Sequence, residues 1–508
     1  MEIPLDRESA VPLYQQIQER ISQLIQEGVL PPQARLPATR QLAVDLGVNR
    51  ITVSNAYAEL EAAGLVYAQT GRGTFVNATP QVRHPSTLQR PAFGERPLWQ
   101  QALAVRPSPF TDGQWHSLLE LAAGSGIISF AGGVPDLDTF PVDDFRKAMQ
   151  TVFKRDGKAA MDYGSIQGYP PLRDAIARFL GEQGVAANPD EIFIASGSQQ
   201  ALSLVAMALL RPGDTVVVES PTYANAIQLF RWQEVHLLSV PVDEQGMQVD
   251  LLDHLLQTHR PRLIYTIPTF HNPTGATMSG HRRRLLLALA ERYGLPIVED
   301  DYIGDLRYDG PREPSLKALD CGGNVVHIST FSKTLMPGPR VGFVLAHGPL
   351  LERLIALKHQ TDLGTSGLIQ RALEAYIGDG RWRAHTRRVS HVYRRRRDAM
   401  VAAMTHHFPP EARWNAPKGG FFVWVRLPAW VSSTDLYLEA IERKVAFAPG
   451  PLFFPGRPAY PAFRLSFSQQ SVEIITEGIE RLGQALREIL SRGCLTAPTR
   501  TRQIETTI

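Results

Sequence analysis

The segment Ser329-Thr330-Phe331-Ser332-Lys333-Thr334-Leu335 sets one lysine among small hydroxyl residues, directly after the apolar run Val325-Val326-His327-Ile328. Most lysines are solvated surface charges. A lysine just past a buried strand is held partly out of water, which favours its neutral amine, the form that attacks a carbonyl to make a Schiff base. Arg340 follows seven positions on, ahead of Val341-Gly342-Phe343. A guanidinium beside several hydroxyls can bind a phosphate. The chemistry these spacings suggest is covalent amine chemistry at Lys333 beside an anion.

Other segments suit the same chemistry. Ser196-Gly197-Ser198-Gln199-Gln200 joins an apolar strand, Ile192 to Ala195, to a helix expected over Ala201 to Leu210. Backbone N–H groups at a helix start make an anion site, although many such turns bind nothing. Pro221-Thr222-Tyr223 follows another strand and offers an aromatic face. His271-Asn272-Pro273-Thr274-Gly275 follows the strand around Tyr265. Glu299-Asp300-Asp301-Tyr302 is expected to end the strand at Val298. Taken alone, that acidic cluster also reads as a metal site or a helix cap, and His271 alone as a packing histidine.

The elements that must position these residues are apolar runs alternating with helical stretches from about residue 115 onward. Thr215-Val216-Val217-Val218, Leu263-Ile264-Tyr265 and Pro296-Ile297-Val298 are further examples. This alternation predicts an α/β domain with a mainly parallel sheet. A length of 508 residues, 44% of them hydrophobic, suits several domains with a large core. The two cysteines, Cys321 and Cys494, argue against a disulfide framework and a cysteine-based zinc site, and fit a reducing cytoplasm. The start of the chain lacks the apolar core of a signal peptide. No uninterrupted apolar stretch is long enough for a bilayer.

Residues 1–77 form a separate zone. Leu13, Ile17, Ile21, Leu24 and Ile25 share one helical face. A second helix is expected over Thr39 to Leu46, stopped by Gly47, and a third is capped by Asn49 with Val53, Ala56, Tyr57 and Leu60 facing inward. Leu65-Val66-Tyr67 and Thr74-Phe75-Val76 flank Gly71-Arg72-Gly73 as a hairpin. This order describes a winged helix-turn-helix, in which the start of the third helix meets base edges in the major groove. Arg50, Thr52, Ser54 and Asn55 are the side chains placed there, and Arg72 tips the wing. The net charge of +3 does not by itself announce a nucleic-acid partner. This zone has six arginines, eight acids and no lysine, so binding rests on a few well-placed arginines.

The stretches Leu36-Pro37-Ala38-Thr39-Arg40-Gln41-Leu42-Ala43, Val48-Asn49-Arg50-Ile51-Thr52-Val53, Ala56-Tyr57-Ala58-Glu59-Leu60 and Gly71-Arg72-Gly73-Thr74-Phe75-Val76 resemble the GntR family of regulators. That resemblance implies DNA contacts at Arg35, Arg40, Arg50 and Arg72. The large-domain motifs resemble fold-type I aminotransferases related to 2-aminoadipate and kynurenine aminotransferases. Ile128 to Asp136, Tyr163-Gly164, Gly168-Tyr169, Pro417 to Phe422 and Phe463-Arg464-Leu465-Ser466 also match. The resemblance implies bound pyridoxal 5′-phosphate, with Lys333 forming the internal aldimine and Asp300 pairing with the pyridine nitrogen. Asp300 is preferred to Asp301 because the family spacing puts Tyr302 two residues on. Tyr302 and Asn272 would contact the ring hydroxyl, and Tyr223 would stack on the ring. Gly197, Ser198, Gln199, Thr330, Ser332 and Arg340 would hold the phosphate. Tyr163 would reach the phosphate of a neighbouring subunit, implying a homodimer, and Arg464 would clamp a substrate carboxylate.

The two modules on one chain resemble the MocR regulators. The implied division is a winged helix at 1–77, a linker at 78–114, an aminotransferase-like domain at 115–490 and a tail at 491–508. The implied function is cytoplasmic, cofactor-dependent transcription control by operator DNA binding, with an amine or amino acid sensed through aldimine exchange at Lys333. A working aminotransferase with an appended DNA-binding module is the alternative, since nothing needed for transamination is visibly missing. A third possibility is a metabolic enzyme whose front module makes protein contacts. The arginines from Arg381 to Arg397 read as a solvated helix face, or as a surface for DNA backbone or linker.

Overall fold

The computed structural model describes residues 3–6, 12–69, 73–77 and 126–494. Arg72, the expected linker at 78–114 and the chain beyond 494 lie outside the described residues. Two compact units are present, and each is taken by itself.

The first unit has helices α1 (Leu13–Gln26), α2 (Thr39–Asp45) and α3 (Arg50–Ala62), then strands β1 (Val66–Gln69) and β2 (Gly73–Val76). The third helix starts where expected because the Asn49 side chain accepts from Ile51 N at 2.9 Å. Ile17, Ile21, Leu42, Val53, Ala56, Tyr57 and Leu60 form the core with Val66 and Val76 of the hairpin. The hairpin pairs antiparallel, Val66 opposite Val76, and Arg35 bridges to Phe75. Leu60 is fully buried, so Leu60→Ala would cost this small core about 2–5 kcal/mol.

The second unit holds β3 (Ile128–Ser129), β4 (Ile192–Ala195), β5 (Thr215–Ser220), β6 (His236–Asp243), β7 (Gly246–Met247), β8 (Leu263–Thr266), β9 (Ile297–Asp301), β10 (Val325–Thr330) and β11 (Gly342–Leu345). Its main sheet has eight strands in the order β4-β11-β10-β9-β8-β5-β6-β7. Five neighbours, β10, β9, β8, β5 and β6, run parallel, while β11 opposes both β4 and β10. Strands buried on both faces read as continuous apolar runs, which is why β4, β5 and β8 were visible in the sequence. A smaller antiparallel sheet has the order β12 (Arg413–Trp414), β13 (Phe422–Arg426), β16 (Ala462–Ser466), β15 (Ala448–Pro449), and β14 (Val445–Ala446) pairs with β3.

Four boundaries differ from the sequence reading. The helix after β4 begins at Ser198 rather than Ala201, because the turn tightens at Gly197. The acids after Val298 extend β9 to Asp301, since Asp300 and Asp301 pair with Ile328 and Ser329 of β10. The second helix ends at Asp45, with Leu46 as its cap. The last helix, Val472–Cys494, runs past 490, so that domain edge falls inside a helix.

Candidate functional site

The carboxyl ends of β4, β5, β8, β9 and β10 lie on one edge of the sheet, where open α/β sheets bind ligands. The turns leaving them carry Gly197, Tyr223, Asn272, Tyr302 and Lys333, with Asp300 inside the end of β9. From the smaller sheet, β16 supplies Arg464.

Lys333 Nζ donates to the carbonyl oxygen of Gly133 at 2.8 Å. Burial, aided by the Arg464 and Arg340 charges, lowers this amine from the ordinary lysine value to about 8. Asp300 is 5% exposed. Its Oδ2 accepts from Tyr265 Oη at 2.8 Å, while its buried Oδ1 has no partner among the described residues. Burial pushes its carboxyl up to about 7. Tyr302, the residue expected beside a ring hydroxyl, donates its own hydroxyl to Phe270 O at 3.0 Å. The Asn272 side-chain oxygen accepts from Arg464 Nη1 at 2.8 Å, and Arg464 Nη2 donates to Ala131 O at 2.7 Å. The Arg464 guanidinium lies 4.0 Å from the Phe422 ring centroid and 4.8 Å from that of Phe453. Its burial lowers it to about 10. Arg464 Nε is left unpartnered among the described residues.

An anion cradle forms beside Lys333. Gly197 has φ +94°, a backbone that favours glycine, and a Cβ there would lie 2.7 Å from Arg340 Nη2 and push the guanidinium aside. Arg340 Nη1 reaches Ser332 Oγ at 3.4 Å and Nη2 reaches Ser196 O at 3.3 Å. Thr330 Oγ1 donates to Ser332 Oγ at 3.1 Å. Ser198 and Gln199 open the following helix, whose first N–H groups face an anion with the positive end of the helix dipole. Tyr223 Oη meets Gln199 Oε1 at 3.4 Å, and burial pushes its phenol up to about 12. Tyr163 stands apart: it is 86% exposed, and among the described residues no hydrogen bond links it to the cluster.

Sequence reasoning missed several participants. Tyr265 was read as strand filler, yet it holds Asp300; a lone hydroxyl in an apolar strand was the signal. His271 is 1% exposed with Nε2 3.2 Å from Glu219 Oε2, an interior pair. Behind the site, Glu299 Oε2 meets His327 Nδ1 at 2.9 Å and Glu299 Oε1 lies 3.9 Å from fully buried Arg283. Arg283 in turn donates to Pro268 O and Thr269 Oγ1, bracing the loop that leads to Asn272. The arginine-rich helix Arg381–His407 is not a plain solvated face. Arg396 pairs with Asp136 at 2.5 Å, and Arg397 pairs with Asp309 at 2.7 Å and donates to Pro417 O.

In the first unit, Arg35, Arg40, Arg50, Ser54 and Asn55 are exposed and Thr52 is half-buried. Arg50, Thr52, Ser54 and Asn55 all lie in the first two turns of α3, and none of them is buried.

A lysine past a strand end, an acid with one unsatisfied buried oxygen, an anion cradle and a sandwiched guanidinium define a pyridoxal-phosphate-binding unit of the fold-type I class. The chain belongs to the aminotransferase class I and II family, whose model matches residues 125–482. Residues 13–76 match the bacterial regulatory proteins of the gntR family, which gives the whole chain the MocR architecture. It is 33% identical over 483 residues to the uncharacterized HTH-type transcriptional regulator YdfD of Bacillus subtilis, covering 95% of this chain and 98% of that one. It is 34% identical over 479 residues to the HTH-type transcriptional regulator TauR of Rhodobacter capsulatus, covering 93% and 96%. The crystal structure of LysN, the α-aminoadipate aminotransferase of Thermus thermophilus, superposes with a TM-score of 0.72 at 37% identity over 78% of this chain and 99% of that chain. The cofactor is pyridoxal phosphate, and the residues present fit it: Asp300 Oδ1 lacks a partner among the described residues, and Gly197, at φ +94°, leaves room for the Arg340 guanidinium beside the turn. Among the described residues no helix is long and apolar enough to cross a membrane.

Proposed function

We propose that this chain is a pyridoxal-phosphate-dependent DNA-binding transcription regulator that senses an amino acid by amine exchange at Lys333. One observation carries the sensing step. Lys333, the amine that would hold the cofactor, and Arg464, suited to a ligand carboxylate, rest on carbonyls of a single segment, Lys333 on Gly133 and Arg464 on Ala131. In chain order this segment lies just after the residues joining the second unit to the winged helix.

When bound, the cofactor supplies an aldehyde that condenses with amines. Lys333 is the amine that holds it, and a lowered proton affinity keeps the side chain nucleophilic. Ser332 and Arg340, with the N–H groups of Gly197, Ser198 and Gln199, would hold the phosphate, and Thr330 orients Ser332. Asp300 Oδ1 would receive the ring N–H, Tyr223 would cover the ring, and Asn272 and Tyr302 would border the ring hydroxyl. Arg464 turns from Ala131 O to the ligand carboxylate, bidentately. Amine exchange would free Lys333 to return to Gly133 O while the ligand carboxylate draws Arg464 from Ala131 O, so the ligand changes both contacts to the 131–133 segment. A ligand biases an equilibrium only through such differences in contact between states. Tyr163, exposed here, is assigned to the cofactor phosphate of a second subunit, making the working form a homodimer in the cytoplasm. Arg35, Arg40, Arg50 and the wing's Arg72 are assigned to DNA, with Thr52, Ser54 and Asn55 toward base edges.

The test is operator affinity of the cofactor-loaded protein, measured while a panel of amino acids and amines is titrated. At least one amino acid should change the Kd about five- to hundredfold. If amino acids alter the visible spectrum but never the Kd, the coupling is wrong. A second reading, turnover as an aminotransferase, is favoured by Lys333 itself, whose lowered proton affinity suits a group that shuttles protons. With a 2-oxo acid supplied as amino acceptor, release of the donor's keto acid in more than one equivalent would establish it.

A further inference from the structure

Ile51, the second residue of α3, has 66% of its surface exposed. It sits on the helix face that also carries Ser54 and Asn55, three and four residues on, and Arg50 precedes it; all three are exposed. The opposite face, Val53, Ala56, Tyr57 and Leu60, is at most 5% exposed. Packing of this unit therefore does not account for an isoleucine at position 51. Scattered surface aliphatics need no partner, but this one lies inside the strip that a winged helix presents to bases. Its backbone is held in place, because the Asn49 cap accepts from Ile51 N itself. A β-branched side chain on a helix is confined to essentially one χ1 rotamer. The apolar group is thus preorganised, and the exposed Arg50 next to it suits a polyanionic partner. In the major groove the apolar feature of a base edge is the C5 methyl of thymine.

We propose that Ile51 reads a thymine methyl group in each operator half-site. The inference rests on the DNA-reading function proposed above and adds a base preference at one position. Burying one methyl against Ile51 should be worth about fourfold in affinity.

The test uses the full-length, cofactor-loaded protein. Duplexes are selected from a random library, and each thymine of the best one is replaced in turn by deoxyuridine, which removes only the methyl. Wild type should lose about fourfold at one thymine per half-site. In Ile51→Ala that loss should disappear, with deoxyuridine effects elsewhere unchanged. Ile51→Val, which keeps a branched side chain, should retain part of it. Because the side chain is exposed, both variants should keep the wild-type Tm. Strong selective binding with no methyl-sensitive thymine, or a sensitivity that persists in Ile51→Ala, overturns the assignment to Ile51 and leaves DNA reading standing. Enrichment of no sequence at all overturns both.

Discussion

Tyr265 Oη donates to Asp300 Oδ2 across 2.8 Å, and this contact between neighbouring strands leaves the other carboxylate oxygen buried and unpartnered among the described residues. Burial raises the Asp300 carboxyl to about 7, while the tyrosine bond pulls the other way by favouring the carboxylate. Asp300 is therefore poised in the neutral range, where a cation at Oδ1 decides its charge.

The rate of cofactor capture should accordingly depend on pH. Asp300 is ionised above about 7, and Lys333 is neutral above about 8. Both are required, so the rate should climb steeply below pH 7, toward about a hundredfold per unit, then about tenfold per unit between pH 7 and 8, and level off above 8. Tyr265→Phe removes the bond that favours ionisation and should move the lower limb to higher pH. Stopped-flow absorbance of cofactor-free protein mixed with pyridoxal phosphate gives the profile, and a flat one would contradict it.

Gly197→Ala should damage phosphate holding selectively. The added methyl would lie 2.7 Å from Arg340 Nη2 and displace the guanidinium. Loss of a charge-assisted bond of about 1.5–3 kcal/mol predicts a ten- to hundredfold weaker affinity for pyridoxal phosphate. Pyridoxal, which has no phosphate, should bind as it does to wild type. Equal losses for both aldehydes would point to general disruption.

Arg464→Lys should separate amino acids from plain amines. A lysine cannot offer the paired N–H groups that a carboxylate receives from arginine. The spectral response to amino acids should need about thirtyfold or more ligand, on the scale of about 2 kcal/mol for a broken buried charge pair. The response to the matching decarboxylated amine should stay within about twofold. Comparable losses for both would remove Arg464 from carboxylate binding.

Much of this arrangement could be read from residue order, because its strongest signals are local. Asn49 caps α3 two residues away, and Val53, Ala56 and Leu60 mark the buried face by helical spacing. The apolar run of β10 points directly to Lys333. What could not be read depends on pairing between distant segments. Nothing near Asp300 names Tyr265, 35 residues earlier. Gly133 and Ala131 act through backbone carbonyls, which every residue has. The acids of β9 looked like a strand end because polar residues usually leave a sheet; here Glu299 stays inside by pairing with His327 and buried Arg283. Arg396 and Arg397 read as surface charge because their partners Asp136 and Asp309 are far away in sequence.

Arg50→Ala tests the DNA face. Arg50 is exposed, so folding should be unaffected. Removing a base-reading arginine should weaken binding of the selected duplex about five- to hundredfold and relax its base preference at one position. Unchanged affinity and unchanged preference would take Arg50 off the DNA.

The account depends most directly on one bond. The protein is incubated with pyridoxal phosphate, reduced with borohydride, digested and mapped by mass spectrometry. The predicted result is a single phosphopyridoxyl adduct on Lys333, absent from Lys333→Ala. No adduct, or one on a different lysine such as the buried Lys358, would contradict it.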